Sequence, residues 1–217
     1  MIKPANDPTI DYKALVQRGY DLCAAAYAEA RRGEAHPELA LLTRQLRPGA
    51  TVLDIGCGAG IPIARTLAQQ FHLTGVDISG EQIRLARMNV PEGNFIHGDI
   101  MAVTFPARHF DAVAAFHALF HLPRDEHPEL LRRIYRWLKP WGHLLVTVTL
   151  FAEAPYTEED FFGTTMYWSN YGLSDYQTML TEIGFRLLET AVIEHGYTEA
   201  TQAPTEQHPL IFAQAEK

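Results

Sequence analysis

Cysteine is scarce in this chain, with Cys23 and Cys57 the only two in 217 residues. Two thiols without metal-like spacing supply neither a zinc site nor a disulfide framework, which suits a reducing, cytoplasmic setting. Long apolar runs are missing too. Nothing approaches the ~20 apolar residues of a membrane-crossing helix, and the start MIKPANDPTIDYK has no apolar signal core. A soluble protein with no membrane partner is expected. Basic runs are also absent, and Asp and Glu (26) outnumber Lys and Arg (18) for a net charge of −8. A nonspecific hold on nucleic-acid phosphates is therefore not expected. No segment repeats at a fixed period, and no low-complexity linker divides the chain.

What is present is ordinary globular composition, 47% hydrophobic and 20% charged, in a length that suits one domain over 1–217. Short apolar runs at 51–55, 72–78, 94–99, 110–116 and 143–150 alternate with amphipathic stretches. Among these, HPELLRRIYRWL (127–138) puts Leu130, Leu131, Ile134, Tyr135 and Leu138 on one helical face. This rhythm predicts an α/β fold, a Rossmann-like, mostly parallel sheet with helices on both faces. Runs at 185–194 and 209–216 follow with no helix between them, which predicts an antiparallel pair on one edge. Residues 10–46 read as an N-terminal helical cap carrying Tyr20 and Tyr27. Residues 152–172, AEAPYTEEDFFGTTMYWSNYG, are long for a connection and rich in aromatics, as substrate lids are. Glu158, Glu159 and Asp160 within them read as a solvated helix start.

The chemistry concentrates at strand ends. TVLDIGCGAGIPIAR (51–65) places glycines at 56, 58 and 60, whereas a dinucleotide fingerprint needs its third glycine where this chain has Ile61. The second strand ends at Asp77, where a carboxylate can accept from both hydroxyls of a ribose. The third ends at Asp99 beside Ile100 and Met101, a polar acceptor next to apolar surface suited to an adenine ring. The fourth ends in AFHALFH.

VLDIGCGAG, GVDIS, GDI, FDAVAAFHALFHL and LKPWGHLLV occur in the order and approximate spacing of the class I S-adenosylmethionine-dependent methyltransferases, which this chain resembles over nearly its whole length. Narrower similarity, in RDEHPELLRRIYRWLKPWG and MYWSNYGLSDYQTMLTEIGF, is to the bacterial small-molecule group with type 11/25-like domains. The resemblance implies seven strands in the order 3-2-1-4-5-7-6 and S-adenosyl-L-methionine as cofactor, leaving S-adenosyl-L-homocysteine. It implies that Asp54, Gly56, Gly58 and Gly60 line the methionine end and that Asp77 holds the ribose. Ile78 and Ile100 would flank the adenine, Asp99 would accept from its amine, and Phe116 would complete the set. The family usually reads LKPGG where this chain has Trp141, which predicts a local packing change.

His117 and His121 would share a face if HALFHL begins a helix. As a metal pair they lack an evident third ligand, so no metal is expected. As general bases they could take a proton from an acceptor hydroxyl or amine, and as structure they could bond a loop. Tyr20, Tyr27, Met166, Tyr167 and Trp168 are the candidate substrate contacts, with core packing as the alternative for each. Cys57 reads as a small filler. The expected activity is transfer of a methyl group to O, N or S of a small, partly apolar molecule by in-line displacement. The alternative is a noncatalytic cofactor-binding module. A monomer or homodimer is expected.

Overall fold

Strand β1 (Ile2–Pro4) precedes the long helix α1 (Tyr12–Ala30), which Asp11 starts by accepting from the Ala14 amide at 3.0 Å. Helix α2 (Leu39–Thr43) leads into β2 (Thr51–Ile55), α3 (Ile63–Ala68), β3 (His72–Asp77), α4 (Gly80–Asn89), β4 (Asn94–His97), β5 (Phe110–Ala115), α5 (His127–Trp137) and β6 (Leu138–Thr147). The hairpin β7 (Glu153–Phe161) and β8 (Thr164–Asn170), helix α6 (Leu173–Ile183) and the pair β9 (Phe185–His195) and β10 (Glu206–Ala215) complete the chain. This computed structural model describes residues 1–5, 7–33, 36–195 and 206–216.

The main sheet runs β4-β3-β2-β5-β6-β10-β9. Counted among its own seven strands the order is 3-2-1-4-5-7-6, as expected; five are parallel, and β10 pairs antiparallel with both β6 and β9. Its central strands are apolar on both faces because both are covered. On one face Leu53 and Val113 meet Leu130, Leu131 and Ile134 of α5 and Leu180 of α6. On the other, Val52 and Ala112 meet Ala64 and Leu67 of α3 and Ile83 and Ala86 of α4. Order reverses at β2, so the carboxyl ends of β2, β3 and β5 border one crevice. No helix among the described residues is long and apolar enough to cross a membrane.

Three local features differ from the sequence reading. Segment 152–172 is the β7–β8 hairpin, which joins β1 in a second, three-stranded antiparallel sheet. Glu158, Glu159 and Asp160 accordingly lie in β7 rather than at a helix start, and Glu159 pairs with Lys3. The connection from β4 to β5, residues 98–109, is made of turns without a helix. Third, strand β6 begins at Leu138, upstream of the expected 143, and carries Trp141 at φ +66°, in left-handed conformation with 60% of its surface exposed. A left-handed non-glycine residue costs about 1–2 kcal/mol, partly offset by the unfolded-state entropy of glycine. Trp141→Gly is expected to stabilise the protein by about 0.5–1 kcal/mol, read from the midpoint of urea unfolding.

Candidate active site

The loop after β2 is shaped by its glycines. Gly56 sits at φ +70°, its amide donates to the Val76 carbonyl at 2.8 Å, and a Cβ there would come 2.5 Å from the Ala118 Cβ. Gly58, at φ +52°, donates its amide to Asp77 Oδ2 at 2.9 Å, while Asp77 Oδ1 accepts from the Ser79 amide at 2.9 Å. One carboxylate thus ties the glycine loop to the turn into α4. Ser79 caps that helix, accepting from the Gln82 amide at 3.1 Å. Gly60 serves packing: a Cβ there would meet Ala86 of α4 and its C-cap residue Val90 at 3.2 Å, and Gly60 itself is not among the residues that line the cavity.

Loop and strand ends open into a cavity of about 1070 Å³ including its mouth, covered on the far side by α1. That volume suits a small-molecule ligand. Asp54, Gly56, Gly58, Asp77, Ile78, Asp99, Ile100 and Phe116 all line it, as do Tyr20, Tyr27, His117 and His121. Met166, Tyr167 and Trp168 do not. Met166 and Tyr167 are buried beneath α1 with Val16, Tyr12 stacks on Tyr167 at 4.6 Å, and Trp168 packs 4.4 Å from the His121 ring. They act on the cavity through its wall.

HALFHL forms no helix that would align the two histidines. His117 is left-handed at φ +51°, its amide donates to Thr147 Oγ1 at 2.6 Å, and only Leu119–His121 make a single 3-10 turn. His121 lies 2.9 Å by Nδ1 from the Tyr167 carbonyl and 2.8 Å by Nε2 from Tyr20 Oη. Cys57 is buried and its thiol is pushed well above the ordinary range, first by burial and then by Asp77 and Asp54, which fits a filler.

Two cavity residues escaped the sequence reading. Lys13 of α1 pairs with Asp99 Oδ2 at 2.8 Å and Glu126 at 2.6 Å, so the Asp99 carboxylate, which also accepts from the Met101 amide, is already engaged. Burial lowers the Lys13 pKa, but the two carboxylates outweigh it and the net shift is upward. Nothing local in the sequence links residues 13 and 99. Gln82 had a signal that pointed elsewhere: Ser79-x-x-Gln82 is a capping-box pattern, in which the glutamine reaches back to the cap amide. Here Asp77 takes that amide, and the Gln82 side-chain amide is left buried in the cavity wall without a protein partner.

Asp54 is in the same position. It is 1% exposed, its Oδ2 has no protein partner, and its pKa is pushed up to about 8 by burial and by Asp77, with His36 pulling the other way. Buried polar atoms without partners are rare and mark a place for a ligand group. A carboxyl and an amide wait beside a glycine loop, and the cationic, hydroxyl-rich S-adenosylmethionine can satisfy both.

Fold, glycine loop and acidic strand ends together are similar to those of the class I S-adenosylmethionine-dependent methyltransferases, whose cofactor the buried polar groups of Asp54 and Gln82 are suited to hold. Residues 52–142 match the family model described as a methyltransferase domain, of the type 11/25-like kind. The demethylmenaquinone methyltransferase of Listeria welshimeri is 33% identical over 108 residues, 46% of this chain and 45% of that protein. A sterol 24-C-methyltransferase of Gibberella zeae is 35% identical over 135 residues, 58% of this chain and 35% of that protein. The matched part therefore spans less than half the length of these curated relatives. Among solved structures, the 1,6-didemethyltoxoflavin-N1-methyltransferase of Burkholderia thailandensis, with S-adenosylhomocysteine bound, superposes with a TM-score of 0.73 at 21% identity, covering 100% of this chain and 95% of its own. The magnesium protoporphyrin IX methyltransferase of Synechocystis, with bound cofactor, gives 0.71 at 15% identity, covering 97% and 100%. These two likenesses are of fold.

Proposed function

We propose that the protein moves the sulfonium methyl group of S-adenosylmethionine to an O, N or S atom of a small, partly apolar molecule by in-line displacement. The observation that carries this reading is the lining of one cavity: partnerless buried polar atoms of Asp54 and Gln82 at the glycine loop, and aromatic side chains of Tyr20 and Tyr27 contributed by α1. Asp54, Gly56 and Gly58 take the methionine end, Asp77 the ribose, Ile78 and Ile100 the adenine faces, and Asp99, held by Lys13, the adenine edge. The bound cofactor supplies an activated methyl and a good leaving group. The chain's own work is alignment and exclusion of water, for which α1 and the β7–β8 hairpin form the cover. His117 and His121 are the candidate bases, and no nucleic acid is engaged. Demethylmenaquinone, sterols, didemethyltoxoflavin and magnesium protoporphyrin, named for the relatives and neighbours, are small molecules and support a small-molecule acceptor, the sterol enzyme being named for transfer to carbon.

Calorimetric titration with S-adenosylmethionine, S-adenosylhomocysteine and NAD tests it. Both sulfur ligands are expected to bind and NAD is not. Asp77→Ala removes two hydrogen bonds to a carboxylate, each worth about 1.5–3 kcal/mol, so affinity for S-adenosylhomocysteine should fall ~100-fold or more. Preference for NAD would sink the reading.

A further inference from the structure

Tyr20 and His121 both line the cavity, and their polar atoms meet at 2.8 Å between Oη and Nε2. The direction of that bond is fixed by the other ring nitrogen. His121 Nδ1 faces the Tyr167 carbonyl at 2.9 Å, and a carbonyl only accepts, so the ring proton sits on Nδ1 and Nε2 offers a lone pair. In the neutral imidazole the Tyr20 hydroxyl therefore donates to Nε2. The imidazole is held in place: it is 7% exposed, with Trp168 at 4.4 Å, Phe120 at 5.0 Å and Tyr20 edge-on at 5.2 Å between ring centroids. Among the described residues Tyr27 lies edge-on to Tyr20 at 5.3 Å, and Lys13, Arg31 and His117 line the same cavity.

A phenol has one proton. With that proton committed to His121, Tyr20 Oη turns toward a ligand as an acceptor, which favours a hydrogen-bond donor and disfavours a carboxylate. We propose that Tyr20 and His121 form a proton relay and that the methyl acceptor is a neutral hydroxyl compound of the phenol type, its O–H received by Tyr20 and its ring by the aromatic wall of Tyr20 and Tyr27. The inference rests on the methyl-transfer reading. In the transfer, a C–O bond to the acceptor forms as the C–S bond breaks, and the electron pair of that bond stays on sulfur as a neutral thioether. The acceptor proton passes to Tyr20 Oη while the Tyr20 proton passes to His121 Nε2. The positive charge of the sulfonium thus reappears as an imidazolium whose Nδ1–H still donates to Tyr167. Tyr20 is a catalytic residue on this account, and the Tyr167 carbonyl is the positioning group that sets the tautomer.

The test uses 4-nitrophenol, whose ionised form absorbs in the visible, added to the full chain saturated with S-adenosylhomocysteine. The bound probe is expected to be more ionised than in free solution at the same pH, by about tenfold in the ratio of its two forms, since an imidazolium held across one hydroxyl favours the phenolate by about one pKa unit. Tyr20→Phe and His121→Gln should each abolish the excess ionisation while calorimetry still shows S-adenosylhomocysteine bound, an outcome that loss of folding cannot imitate. Binding of S-adenosylhomocysteine without binding of the probe, or equal ionisation in all three proteins, overturns the relay and leaves the methyl-transfer reading standing. Failure of the wild-type chain to bind S-adenosylhomocysteine overturns both.

Discussion

Ligand-free protein is expected to lose stability as pH rises from about 4 to about 8, and Asp54→Asn to remove much of that loss. The Asp54 carboxyl has its folded pKa raised from 3.8 to about 8, chiefly by burial. Between these values the native state holds a proton that the unfolded chain has released, so unfolding is favoured as pH increases. The contribution is complete below the unfolded pKa and gone above the folded one. One group sets a limit of about 1.4 kcal/mol per pH unit within this window. Asp77 is shifted the same way, again mainly by burial, so the difference between wild type and Asp54→Asn isolates residue 54. Urea unfolding across the pH range reads it, and parallel curves for the two proteins would contradict a buried, protonated Asp54. The corollary concerns the ligand: a cation beside Asp54 displaces that proton, so affinity for S-adenosylmethionine should rise with pH up to about 8. The asparagine variant gains stability at neutral pH and loses the cofactor, which is the usual trade at a site built around a buried charge.

Gly56→Ala is the second large effect, and its two causes can be separated. The left-handed backbone costs about 1–2 kcal/mol for any other residue, and the new Cβ, 2.5 Å from that of Ala118, forces a shift worth about 1–3 kcal/mol more. The variant should be destabilised by about 2–5 kcal/mol and bind S-adenosylhomocysteine weakly if at all. Adding Ala118→Gly relieves the clash alone and should recover about half. Gly58→Ala is the control, because a Cβ there meets nothing nearer than Gln82 Oε1 at 3.9 Å, leaving only the backbone cost of about 1–2 kcal/mol. Equal losses at 56 and 58 would remove the steric argument.

What could be read beforehand was whatever a local pattern controls. The parallel strands show as apolar runs because both faces are covered, and Gly56, Gly58, Asp54 and Asp77 stand at strand ends where α/β sheets hold ligands. The β7–β8 hairpin was hidden, since its partner strand Ile2–Pro4 lies at the other end of the chain and neither side alternates cleanly between polar and apolar. Gly60 was assigned with its neighbours, yet the close approach of Ala86 and Val90 that requires it is made by a helix more than twenty residues later. The helical pairing of His117 and His121 failed on a single backbone angle, which the Thr147 hydroxyl helps to hold by accepting from the His117 amide. Lys13 and Tyr20 acquire their partners Asp99 and His121 only when α1 is laid over the cavity.

That placement of α1 bears on how the protein is made. The helix ends at Ala30, and β8, one of the elements it packs on, starts at Thr164; at ribosomal rates roughly 7 to 27 seconds separate their appearance. During that interval the apolar residues Val16 and Tyr20 have no β8 to cover them, while the strands that carry the glycine loop and both buried carboxylates can already pair. Until β8 emerges α1 can seat only on its earlier partners, through Asp21 with Ser79 and Lys13 with Asp99, so the side of the cover that β8 supports is the last to be completed.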